Sequence, residues 1–180
     1  IAYPDGVEAV AITSFAEVLL HEHGYTHVEK NFLEVGLLWA SLSNGGIDLY
    51  LDAWLPVTQE SYWQKYGNKL EKLGVLNPNG TSGLVVPSYV EIDSVTELNE
   101  HVDLFEGKIY GLGAGSGTNA KTLEMIEAYG LQFEQLNTSE AAMLAELRRS
   151  ISQEKPVIIT GWTPHYMWSK YDLKMLKDPK

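Results

Sequence analysis

The chain has no cysteine among its 180 residues. Thiol nucleophiles, disulfides, and zinc or iron–sulfur sites built on thiolates are therefore excluded. It also has no long apolar run. GLVVP (83–87) and PVIIT (156–160) are its longest buried-type stretches, far short of the roughly 20 residues a helix needs to cross a bilayer. Basic residues are scarce, 13 against 24 acidic, for a net charge of −11. Phosphate backbones and anionic lipid surfaces both select a basic footprint, so neither nucleic acid nor a lipid headgroup layer is expected as a partner. There is no GxSxG elbow, no solenoid repeat and no low-complexity tract. No leader is visible either. The chain opens at IAYPDG, inside what reads as a strand-to-helix turn, and is taken as a trimmed or mature fragment, which leaves its compartment open.

With 44% hydrophobic residues, the sequence is too apolar for disorder and long enough for a sizeable core. Strand-like and helix-like segments alternate along it. Helical spacing covers 9–23, 35–42, 58–68, 119–129 and 139–151. Gly24 and Gly130 serve as stops, and Thr58 and Ser139 as caps. Ser94 and Glu97 have capping-box spacing. Strand-like runs fall at 27–33, 47–51, 83–87, 108–112, 156–160 and 173–176. Strands separated by helices predict an α/β fold with parallel sheets. Two such units are expected, 1–86 and 87–180, meeting near Val86-Pro87.

Two features carry chemistry. Trp54 and Trp162 directly follow strand-like runs, in DAWLP and TGWTP, where ligands of parallel α/β sheets bind. Trp39 lies on the helix before the Trp54 run. A quaternary ammonium has no N–H to donate, so only the faces of electron-rich rings hold it well, and indole is the best of them. The bland alternative is that these are core or lobe-interface tryptophans. The second feature is the glycine-rich run 111–117, between a strand and a helix. Converging backbone N–H groups and a helix start suit an anion there. Gly115 to Thr122 (GSGTNAKT) also approaches a phosphate loop, but Ala120 stands at the second glycine and no later strand ends in a magnesium-binding aspartate. A nucleotide-binding enzyme is thus a remote alternative. His21 and His23, two apart on a helix, share no face and read as exposed residues near its end. His165 lies in the Trp162 turn. Asp5, Glu8 and Asp52 show no catalytic pairing pattern.

The runs LDAWLPVT (51–58), VVPSYV (85–90), IYGLGAGSG (109–117), TSEAAMLAEL (138–147) and IITGWTPHYMWSKYDLKMLKDPK (158–180) resemble those of the glycine betaine/proline betaine substrate-binding proteins of bacterial ABC importers. The resemblance implies a two-lobed, type II periplasmic-binding-protein-like fold. It implies a non-enzymatic role without cofactor or metal: extracytoplasmic capture of a quaternary ammonium solute and its delivery to an ABC permease in the membrane. Choline- or carnitine-selective members are alternatives within it. Carried over by motif, the cage falls on Trp39, Trp54 and Trp162, and backbone contacts to a ligand carboxylate on Tyr110 and Gly117. Glu8, Gln59, Gly111, Ser116 and His165 form a second tier. Gln59 stands where many relatives carry histidine, and Tyr166 where they carry a second tryptophan. Relatives of this family continue past DPK into a segment that returns to the first lobe. The present chain is therefore expected to lack that segment and to expose a sheet edge, with self-association as one way to cover it.

Overall fold

The computed structural model describes residues 1–180. They form two compact units, Ile1–Pro78 and Asn79–Lys180. The first unit is built from β1 (Ala2–Tyr3), α1 (Val7–Glu22), β2 (Asn31–Phe32), α2 (Val35–Ser43) and α3 (Glu60–Tyr66). β1 and β2 pair in parallel, and Ala2 also bridges to Tyr50. The 47–51 run thus forms one bridge rather than a full strand, because its only partner, β1, is two residues long. Ala2, Leu38 and Ile47 make the core of this unit. α1 starts at Val7, earlier than its periodicity suggests, with Gly6 in an extended positive-φ conformation as its N-cap. Ala9 and Thr13 face inward, while Val10, Phe15 and Val18 are exposed. Thr58 does not cap α3. Gln59 occupies that position, and its side chain makes no cap hydrogen bond.

The second unit contains β3 (Thr81–Pro87), a 3-10 segment (Val95–Phe105), β4 (Lys108–Gly111), α4 (Gly117–Tyr129), β5 (Glu134–Asn137), α5 (Glu140–Ser152), β6 (Ile159–Thr163), α6 (Met167–Lys170) and β7 (Leu173–Met175). Its sheet has the order β5-β4-β6-β3-β7. β4 runs parallel to β5 and β6, with α4 between β4 and β5 and α5 between β5 and β6. β3 runs antiparallel to both β6 and β7, so the sheet is mixed rather than purely parallel. Both partners of β3 lie in the second unit, so residues 79–86 pack with that unit, and the division falls before the expected Val86-Pro87.

Leu84, Val85 and Val86 are buried on both faces of the sheet, which is why β3 reads as a continuous apolar run. The core gathers Leu84, Val86, Leu98, Ile109 and Ile158. α5 follows the simplest helix rules. Ser139 Oγ accepts from Ala142 N at 3.2 Å, and Met143 and Leu147, four apart, are fully buried. Ser94 likewise caps its segment, and Val95–Phe105 is a pair of 3-10 stretches that meet at a kink at His101. Gly161 faces Gly83 across the β6–β3 pair. A Cβ on Gly161 would lie 2.5 Å from Val85 Cγ2 and 2.8 Å from Met167 Cε, so only glycine lets α6 pack onto β6. No helix is long and apolar enough to cross a membrane.

Candidate functional site

In the first unit, Trp54 follows the Tyr50 bridge and is half-buried. Its Nε1 donates to Asp52 Oδ1 at 2.8 Å, which sets the plane of the ring. Its carbonyl accepts from Gln59 N at 2.9 Å. The following Leu55-Pro56 bond is cis.

Trp39 has a different place. It is only 2% exposed. Tyr62 stacks on it at 6.1 Å, and Tyr50 and Trp63 stand edge-on. Its Nε1 donates to Gln59 Oε1 at 3.0 Å, and Gln59 Nε2 donates to the Tyr50 hydroxyl at 3.0 Å. Trp39 therefore offers no open ring face. It is a core residue behind the Trp54 turn rather than a cage wall. Gln59, at 5% exposure, spends its amide on Trp39 and Tyr50, not on a ligand. Burial pushes the Tyr50 phenol far above its ordinary value, and the charges of Asp52 and Glu8 push it further, against the Gln59 hydrogen bond. Glu8 sits in the first turn of α1, whose N-cap Gly6 supplies no side-chain cap. The sequence reading began this helix at 9 and so missed these uncapped first-turn amides.

In the second unit, the chain leaves β4 through Gly111 and turns into α4. Tyr110 is half-buried, and burial raises its phenol. Its backbone N–H donates to Ile158 O at 2.9 Å. That amide belongs to the sheet, so it does not serve a ligand carboxylate as expected. Gly111 is buried. A Cβ there would lie 2.7 Å from Asn119 Oδ1, so this glycine makes room for Asn119. The Asn119 side chain accepts from Leu112 N at 2.9 Å and donates to Leu112 O at 2.6 Å and Asn137 Oδ1 at 2.9 Å. It braces the loop, a role the sequence reading missed because it took 119 simply as the first helical residue.

Ser116 N donates to Gly113 O, and Ser116 makes no side-chain cap. Gly117 is the buried first residue of α4. The phosphate-loop alternative has no support in this geometry. Lys121 pairs with Glu124 at 2.8 Å, and Thr122 Oγ1 donates to Thr118 O at 3.0 Å. Both groups that would meet a phosphate and its metal are turned to the helix itself. His21 and His23 are exposed near the end of α1.

Trp162 lies in β6 opposite Ser82 and is 4% exposed. Its carbonyl accepts from Trp168 Nε1 at 2.7 Å. Its own Nε1 is buried without a hydrogen-bond partner. His165 stands edge-on to the indole, with ring centres 4.9 Å apart. The second unit thus groups Trp162 with His165 at the end of β6, just before α6. Buried Glu140, which the sequence reading treated only as a neighbour of a cap, lies 3.1 Å from His165 Nε2.

The family model described as the substrate binding domain of the ABC-type glycine betaine transport system matches residues 1–180. The glycine betaine/carnitine transport binding protein GbuC of Listeria monocytogenes is 40% identical over 91 residues, a match spanning 49% of this chain and 29% of that protein. The crystal structure of lactococcal OpuAC, closed and complexed with glycine betaine, aligns with a TM-score of 0.91 and 33% identity, covering 99% of this chain and 69% of that one. The glycine/betaine/L-proline-binding protein ProX of Borrelia burgdorferi aligns at 0.93 with 32% identity, covering 99% and 68%. The α/β fold is that of these binding proteins, and the chain belongs to the family of substrate-binding domains of ABC-type glycine betaine transport systems.

Proposed function

We propose that the chain captures glycine betaine, or a close trimethylammonium carboxylate, for an ABC importer, and carries out no catalytic step. Half-buried Trp54 is the ring face offered to the cation by the first unit, and Trp162 is the candidate ring of the second unit. The ligand carboxylate goes to first-turn amides of a helix without a side-chain cap, α4 at Gly117 with Ser116 beside it, or α1 at Val7. The observation that carries this reading is the family match together with Trp54, a half-buried indole whose nitrogen is already satisfied by Asp52. Such a ring has its face, not its N–H, left for a ligand, as a cation–π site needs. His165 supports Trp162 from the side. The protein works outside the cytoplasm and hands its ligand to a membrane permease.

A second reading, carnitine, is favoured by the name of the Listeria relative. Both ligands share the trimethylammonium and carboxylate groups and differ in length. Calorimetric titration with glycine betaine, carnitine and choline separates them, with Trp162→Ala as control. Saturable binding of a betaine, weakened about tenfold or more in the variant, is expected, since a desolvated cation–π contact contributes about 1–2 kcal/mol. A folded protein that binds none of the three ligands contradicts the proposal.

A further inference from the structure

We propose that Glu140 is a positioning residue: through His165 it holds the Trp162 ring in the plane that the ligand meets. This rests on the function proposed above.

The chain of contacts begins at α6. Met167 N donates to His165 Nδ1 at 3.1 Å. An atom that accepts an N–H cannot carry a proton, so Nδ1 is bare and the neutral ring holds its proton on Nε2. Nε2 then donates to Glu140 Oε1, 3.1 Å away. Both side chains are buried, at 0% and 5% exposure. Glu140 is the first residue of α5, so its backbone place is fixed by the start of that helix. The imidazole is therefore fixed at both nitrogens, by a backbone amide on one side and a carboxylate on the other.

That fixed ring is what Trp162 leans on. The indole nitrogen has no hydrogen-bond partner, and Trp168 holds only the Trp162 carbonyl. Packing alone sets the indole plane, and the His165 ring stands edge-on to it at 77° and 4.9 Å. Tyr166 stacks on His165 at 4.8 Å. Without the Glu140 acceptor, a buried Nε2–H is stranded. The imidazole then turns to find another partner, and the indole loses its neighbour's edge.

The test compares Glu140→Ala, Glu140→Gln and the wild type. Nitrogen NMR of the ligand-free protein reads the His165 tautomer, the Trp162 indole N–H resonance reads the ring, and glycine betaine titration reads the site. The wild type is expected to show one tautomer, protonated on Nε2. Glu140→Ala is expected to lose that single tautomer, shift the indole resonance and bind roughly tenfold more weakly, the loss of about one good ring contact. Glu140→Gln keeps an acceptor at the same reach and is expected to keep the tautomer and most of the affinity. If the alanine variant does not fold, Glu140→Asn withdraws the acceptor with a polar group retained and is expected to behave as described for alanine.

The proposal is overturned if a folded Glu140→Ala or Glu140→Asn keeps the wild-type indole resonance and affinity. It is also overturned if Glu140→Gln is as damaging as Glu140→Ala, because the charge rather than the brace would then matter. A wild type that binds no betaine sinks the proposed function instead, while the two NMR readouts still judge the brace.

Discussion

Trp54 and Trp162 occupy corresponding places in the two units, each two residues before a cis proline, yet they are held in opposite ways. Trp54 is half-buried, and one carboxylate, Asp52, takes its N–H directly. Trp162 is almost wholly buried with its N–H unsatisfied, and a carboxylate reaches it only through His165. A direct bond fixes a ring by one strong directional contact and tolerates solvent nearby. A relay fixes it by shape, inside a packed wall that must stay intact. The first indole is thus locally autonomous, and the second depends on α5 and α6 together.

Substitutions can break this comparison. The largest stability effect is expected from the tryptophan that belongs to neither arrangement. Trp39→Ala removes a fully packed ring and takes one donor from Gln59 Oε1, so it should destabilise the protein by about 3–5 kcal/mol, read by thermal or denaturant melting. A loss below about 1 kcal/mol would return Trp39 to the candidate walls.

A smaller effect is expected at Asp52. Asp52→Ala frees the Trp54 ring and forfeits one charge-assisted hydrogen bond, worth about 1.5–3 kcal/mol in general. Part of that should appear as several-fold weaker betaine binding, with the second unit's Trp162 indole resonance unmoved. Movement of the Trp162 signal would show that the two rings are not independently held.

The smallest effect at neutral pH concerns Tyr50. Its phenol is raised by burial, so the folded state holds its proton more tightly than the unfolded chain does. That stability is fully present below the ordinary tyrosine value of about 10 and declines as pH rises beyond it. Tyr50→Phe should flatten the alkaline decline seen in melting at rising pH. An unchanged decline would remove Tyr50 from the account.

Much of this was legible in the sequence, and the exceptions share a cause. α4, α5 and their glycine or serine boundaries follow local rules, so they were readable. β3 looked like an ordinary parallel strand, because burial on both faces gives the same apolar run whichever way the partners point. The 47–51 run alternated properly but found a partner of only two residues. Among the site residues, Trp54 and Trp162 stand out because aromatic residues beside prolines at strand ends are visible one-dimensionally. Trp39 was indistinguishable from them until Tyr62, Trp63 and Gln59 closed around it. Tyr110 misled for a related reason: nothing in a sequence tells which strand amide is already paired. Asn119 and Glu140 were missed because spacing alone does not show that the loop before α4 folds its backbone onto the one, or that the turn after β6 brings His165 to the other.

The central claim is that indole faces select a positive charge rather than a bulky apolar group. It is tested most directly by titrating the protein with glycine betaine and with tert-butylacetate, which keeps the shape and the carboxylate but replaces the charged nitrogen by carbon. The account predicts saturable binding of glycine betaine and binding at least tenfold weaker for the neutral-headed analogue. Equal affinity for the two would contradict it, because the tryptophans would then be serving as a hydrophobic pocket.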